Sequence, residues 1–157
     1  WDAVCCNRIC SWIHLQDLKS KKTFYFFNAH FDHQGVKARV ESGKLIIKKI
    51  KEIAKDKPVI FTGDLNGGHQ SEWYLTLKNS GWLKDTFDQV KVPYINNSSF
   101  NSFGNGNALK SNEVIDHIFV TRHFQAKKWG ILTDTYMGKF PSDHFPVLSL
   151  VELKEVK

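Results

Sequence analysis

Pro58-Val59-Ile60-Phe61-Thr62-Gly63-Asp64-Leu65-Asn66 is the stretch on which the reading of the whole chain turns. Val59-Ile60-Phe61 is a short continuous apolar run, the pattern of a strand covered on both faces, and Gly63 ends it. Asp64 and Asn66 therefore emerge at a strand tip. Side chains two residues apart on an extended segment face the same way. A carboxylate able to hold a proton or a metal-bound water would then stand beside an amide able to bond a substrate oxygen. A turn built on Asp and Asn is the plainer alternative for the same residues.

Upstream, Val36, Val40, Ile47, Ile50 and Ala54 recur at helical spacing with lysines between them, which predicts an amphipathic helix over 36–54. Farther upstream, Asn7 to Leu15 and Thr23 to Ala29 read as an antiparallel hairpin joined by the polar stretch Gln16 to Lys22. Downstream, Ser71 as a capping residue and Gly81 as a terminal glycine bracket a short helix from Glu72 to Ser80. Val92 to Asn112, rich in Asn, Ser and Gly, reads as loop, with a short strand within it left open. Strands are predicted at Val114 to Thr121, Lys128 to Thr133 and Phe145 to Leu153, the last with Pro146 near its start. Helices between strands, with hairpins on either side, predict an α/β fold built on a mixed β-sheet with flanking helices.

The 157 residues, 41% hydrophobic and 24% charged, suit one globular domain with a real core. No apolar run approaches the length of a membrane-spanning helix. A soluble chain is expected, and its compartment is left open because an export signal would lie upstream of Trp1. A formal charge of +6 favours anionic partners. Cys5, Cys6 and Cys10 lack the spacing of a zinc site and read as small buried apolar residues.

Four polar clusters begin or end strands. They are Asn28-Ala29-His30-Phe31-Asp32-His33, Thr62-Gly63-Asp64-Leu65-Asn66, Val114-Ile115-Asp116-His117-Ile118-Phe119-Val120 and Pro141-Ser142-Asp143-His144-Phe145-Pro146. A single cluster of this kind is commonly a hydrogen-bonded surface feature. Asp116 is more demanding, because it interrupts an apolar strand, and a carboxylate buried without a partner is costly. Either an edge position in water or some pairing partner must satisfy it.

In this order, the segments NAHFDH, GDLN, IDHIFV and SDHFPV resemble the endonuclease/exonuclease/phosphatase family, from Trp1 to about Leu150. The resemblance implies part of the deoxyribonuclease-like four-layered α/β sandwich and metal-dependent hydrolysis of phosphate esters by in-line attack of an activated water. It also implies roles. His30 would donate to the phosphate, Asp64 would orient or deprotonate the water, and Asn66 would contact a phosphoryl oxygen. Asp116 would pair with the ring of His144, and Asp143 would face the metal, expected to be Mg²⁺ or Mn²⁺. In-line attack spreads charge over the non-bridging oxygens, which is why donors and a cation are needed there.

Family members carry an Asn and a metal-binding Glu in an N-terminal half that has no counterpart here. Residues 1–157 are therefore read as the C-terminal part of a single domain, cut from a larger protein that would be a monomer when intact. This piece would supply one sheet with its helix layer, leave an apolar sheet face bare, and be weakly active or inactive alone. Substrates could be nucleic acid, phospholipid head groups or sugar phosphates. Gly67 to Glu72 and Asn96 to Asn107, with Phe100 and Phe103, are the loops expected to discriminate among them.

Two rival readings come from other classes. A calcineurin-like phosphoesterase would explain Gly63-Asp64 with Gly68-His69, but its Asp-x-His and GNH segments are missing. A basic binding module for nucleic acid or another anionic partner, catalytically inactive, would use Lys44, Lys48, Lys49 and Lys51, which equally read as a solvated helix face.

Overall fold

A computed structural model describes residues 1–95, 97–106 and 111–154. Asn96 and Asn107, the two ends of the predicted discriminating loop, lie outside the described residues. Strands β1 (Cys10–Gln16) and β2 (Thr23–His30) form the predicted hairpin, with Cys10 opposite Ala29 and Gln16 opposite Thr23. Helix α1 (Val36–Ala54) crosses over to β3 (Val59–Asp64), which pairs with β2 in parallel. Helix α2 (Glu72–Lys78) follows, then β4 (Lys84–Asp85), β5 (Asp116–Val120), β6 (Phe124–Ile131) and β7 (Val147–Leu153).

Among the described residues the strands make two sheets. One is five-stranded and mixed, in the order β1-β2-β3-β5-β4, and the other is the antiparallel pair β6-β7. The expectation of one sheet is corrected by that second pair. Its own apolar residues, Trp129, Ile131 and Phe145, gather with Val114 into a separate core cluster. The main core lies between the large sheet and its helices, where Phe27, Phe61 and Phe119 from three adjoining strands meet Ile46, Ile50, Tyr74 and Leu77. Trp12 and Ile13 on β1, and Leu148 and Leu150 on β7, are exposed, so apolar sheet surface is left uncovered.

Local differences from the sequence reading have identifiable causes. Val36, in the first turn of α1, is exposed, and that turn is held by a distant cap: Asp2 accepts from the backbone N–H groups of Lys37 (3.1 Å) and Ala38 (2.7 Å). Ser71 precedes α2 but makes no side-chain cap bond; its hydroxyl donates to the Gly68 carbonyl instead (2.9 Å). Ser80 ends α2 early by accepting from Trp82 and Leu83 N–H, and Gly81 takes the left-handed φ of +73°. Strand β6 starts four residues before the predicted Lys128. Cys5 and Cys6 are exposed and bonded to each other, not buried, while Cys10 is half-buried against the main core.

Gly63 lets β2 and β3 come together. A Cβ there would collide with the Ala29 carbonyl on the neighbouring strand. Gly63→Ala is expected to destabilise the chain by about 2 kcal/mol, in the range for overpacked sites, seen as a lower urea midpoint. An unchanged midpoint would mean that the strands can separate there at little cost.

Candidate functional site

Strand register sorts the polar residues. His30, Asp64 and Asp116 are direct partners across β2, β3 and β5, so they form one row at the end of the sheet. Alternate rows face opposite ways. Phe27-Phe61-Phe119 point into the helix layer, and the His30-Asp64-Asp116 row points away from it. His144, from the segment just before β7, comes down onto this row.

The ring of His144 spans two carboxylates. Its Nδ1 lies 2.8 Å from Asp116 Oδ2 and its Nε2 3.8 Å from Asp64 Oδ2. His30 Nε2 approaches the same Asp64 oxygen at 3.2 Å. Asp116 is thus satisfied by an imidazole partner, as its place in an apolar strand demands. The Asp116 hydrogen bond raises the His144 pKa above the usual imidazole range, and burial opposes it less strongly. Burial pushes Asp64 above the ordinary carboxylate range and the Asp116 charge adds to this, while the Asn66 N–H, His30 and His144 pull it down. A carboxyl held higher than usual is better matched to taking a proton from water.

Asn66 is not on an extended segment. Its φ is +50°, its N–H donates to Asp64 Oδ1 (2.8 Å), and its side-chain amide donates to the Phe31 carbonyl (3.0 Å). The turn reading of Asp64-Leu65-Asn66 therefore holds for the backbone. That turn still leaves the Asn66 carbonyl oxygen and one amide hydrogen uncommitted to those bonds. Asp143 stands beside His144, and its own carbonyl accepts from Asn101 N–H (2.7 Å) and Ser102 N–H (3.0 Å). It does not join Asp64, Asp116 and His144, whose ligand atoms lie within 4.8 Å of one another. Phe100 packs edge-on against His144 at 5.1 Å, which places one aromatic of the loop expected to discriminate substrates at the site.

The carboxylate oxygens suit a hard cation that keeps most of its waters. Asp116 Oδ2 and Asp64 Oδ2 already face histidines, so these residues fit one side of a magnesium-type site and do not enclose one.

Residues 17–144 match the endonuclease/exonuclease/phosphatase family. The chain belongs to this family. A mannosyl-6-phosphatase of Bacteroides thetaiotaomicron is 41% identical with a TM-score of 0.87, covering 98% of this chain and 60% of its own. A family protein from Bacteroides vulgatus is 37% identical with a TM-score of 0.89, covering 98% and 58%. The human Nocturnin catalytic domain, 18% identical with a TM-score of 0.72 over 95% and 54%, shares the fold. A search of curated proteins finds no match. The chain thus spans about three-fifths of the length of its Bacteroides relatives. Its mixed sheet with helices is the deoxyribonuclease-like α/β fold of this family.

Sequence reasoning passed over one group that the structure assembles. His69, Asp85 and His117 also bring ligand atoms within 4.8 Å of one another, on the helix side of the sheet. His117 was visible inside IDHIFV, next to Asp116, and alternation alone would have sent it to the opposite face. Asp85 gave no signal, since β4 is two residues long.

The Asp116 bond sets a pH dependence. A folded-state pKa raised above the unfolded value stabilises fully below about pH 6.5, and the contribution fades as pH rises through the folded value. In metal-free protein, Asp116→Asn is expected to lower the His144 titration midpoint followed by proton NMR of its ring. An unmoved midpoint would show that Asp116 does not hold that proton.

Proposed function

We propose that the protein hydrolyses phosphate esters by in-line attack of a water. The observation that carries this reading is the His30-Asp64-Asp116 row with His144 bridging its two carboxylates. Asp64 takes or orients the water's proton. His30 and His144 donate to the non-bridging oxygens as charge develops there, and Asn66 adds a contact from the turn. Asp116 keeps His144 oriented and favours its protonated form. A bound Mg²⁺ or Mn²⁺ would supply positive charge beside the phosphoryl oxygens. The family resemblance assigns Asp143 to hold it; Asp143 stands outside the Asp64, Asp116 and His144 cluster, so it would hold the ion from one side, with further ligands from the part of the relatives that this chain does not span.

A sugar phosphomonoester is the substrate class that we favour, because the relative described as a mannosyl-6-phosphatase is 41% identical over nearly the whole chain. The binding-module alternative draws less support. Lys44 pairs with Glu41, Lys48 and Lys49 pair with Glu52, and Lys51 lies over the Trp82 ring. Such pairs are the ordinary furniture of a solvated helix.

In the intact protein, Mg²⁺-dependent cleavage of a chromogenic phosphomonoester is expected to exceed that of the matching diester and to stop with EDTA. Asp64→Asn should lower turnover by on the order of 10² with the fold retained. Turnover that survives both chelator and Asp64→Asn would remove this mechanism. The described chain alone is expected to show weak or no turnover in the same assay.

A further inference from the structure

The group on the helix side of the sheet has features that the phosphate-facing row does not explain. Asp85 and His117 are 1% exposed, and His69, from the loop after β3, is 25% exposed. His117 Nδ1 lies 3.2 Å and His69 Nε2 4.0 Å from the same Asp85 oxygen, Oδ2. Three side chains from three separate segments thus converge on one point.

Hydrogen positions narrow what that point holds. His117 Nε2 lies 2.9 Å from the Gly67 carbonyl, which can only accept, so Nε2 carries a hydrogen. The Nδ1 turned toward Asp85 then needs either a second hydrogen or a cation for its lone pair. His69 Nε2 is buried and, among the described residues, has no hydrogen-bond partner. A proton on His117 would leave that atom unsatisfied, at the usual cost of a buried polar group. A cation satisfies both nitrogens and the carboxylate together.

The supporting contacts match those of built metal sites. Asp85 Oδ1 accepts from Phe87 N–H at 2.9 Å, which turns Oδ2 inward, and the Gly67 carbonyl fixes the His117 tautomer. Nitrogen and oxygen ligands on a tetrahedral zinc stand about 3.4 Å apart. The Asp85–His117 separation already fits, and the loop-borne His69, 4.0 Å from the Asp85 oxygen, has to close in on the other two. A cavity of about 750 Å³, lined by His69, Lys78, Asp88 and Glu113, adjoins the group and gives an entry path and room for a fourth ligand such as water.

We infer that His69, Asp85 and His117 form a second divalent-metal site, two imidazole nitrogens and one carboxylate oxygen, for zinc or another late first-row ion. The ligand types favour such ions over Mg²⁺. A metal there ties the loop after Asn66 to β4 and β5 from behind the sheet. Its role is structural, and it is independent of the reaction proposed above.

The test uses the full chain, stripped with chelator and titrated with Zn²⁺ and Co²⁺. Bound metal is read by elemental analysis, the visible spectrum of Co²⁺ and the rise in Tm. One equivalent is expected to bind in an Asp64→Asn, His144→Gln background, where the phosphate-facing cluster is disabled. His69→Phe, which keeps the aromatic packing and removes the unpartnered nitrogen, is expected to lose that equivalent and the Tm rise. His69→Gln, checked by circular dichroism, serves if the Phe variant misfolds. Three results would overturn the proposal: no Zn²⁺ uptake by the stripped chain, loss of uptake in the Asp64→Asn, His144→Gln background, or full uptake by a folded His69 variant.

Discussion

The close approach of β2 to β3 at Gly63 and Ala29 is the constraint on which the rest of the structure depends. It sets the parallel register in which His30 stands opposite Asp64, and β5 extends that row to Asp116. A slip of one residue would turn every side chain to the other face. His30, Asp64 and Asp116 would then enter the helix layer, and Phe27, Phe61 and Phe119 would leave the core. Chemistry and stability are therefore specified by the same pairing.

Placing Asp64 and Asp116 side by side brings two carboxylates together, and the structure offsets this with imidazoles. His144 contacts both and His30 contacts one. Asp116 and His117 show the same economy along a single strand. Adjacent in sequence, they serve opposite faces, the first with His144 and the second with Asp85.

Much of this was legible in advance because it rests on periodicity. Helix α1 spans the predicted range, since an apolar stripe with lysines opposite is hard to mistake. The hairpin and mixed sheet follow from alternation and from a helix between strands. The turn at Asn66 was less legible, because i and i+2 share a side only while the backbone stays extended, and φ at Asn66 is +50°. The cap of α1 was hidden for another reason. It comes from Asp2, over thirty residues away, where no local motif could show it. Strand β4 was invisible because two residues carry no period. Among the candidate residues, His30, Asp64, Asp116 and His144 are brought together, whereas Asp143 stays outside their cluster, held through its backbone by Asn101 and Ser102.

The loop that leaves Asn66 runs beneath an aromatic lid. A Cβ at Gly67 would collide with the Trp73 ring, and the Arg39 guanidinium lies over that ring at 4.2 Å while donating to the Asp32 carbonyl. The loops after β2 and β3 are thus clamped from above by one stack. Over evolutionary time this couples distant positions. A lineage that enlarges residue 67 must shrink residue 73 in the same step, and a smaller residue 73 leaves Arg39 with nothing to cover. Drift around this site should therefore proceed by compensated pairs, with single changes at 67 purged before a second can rescue them.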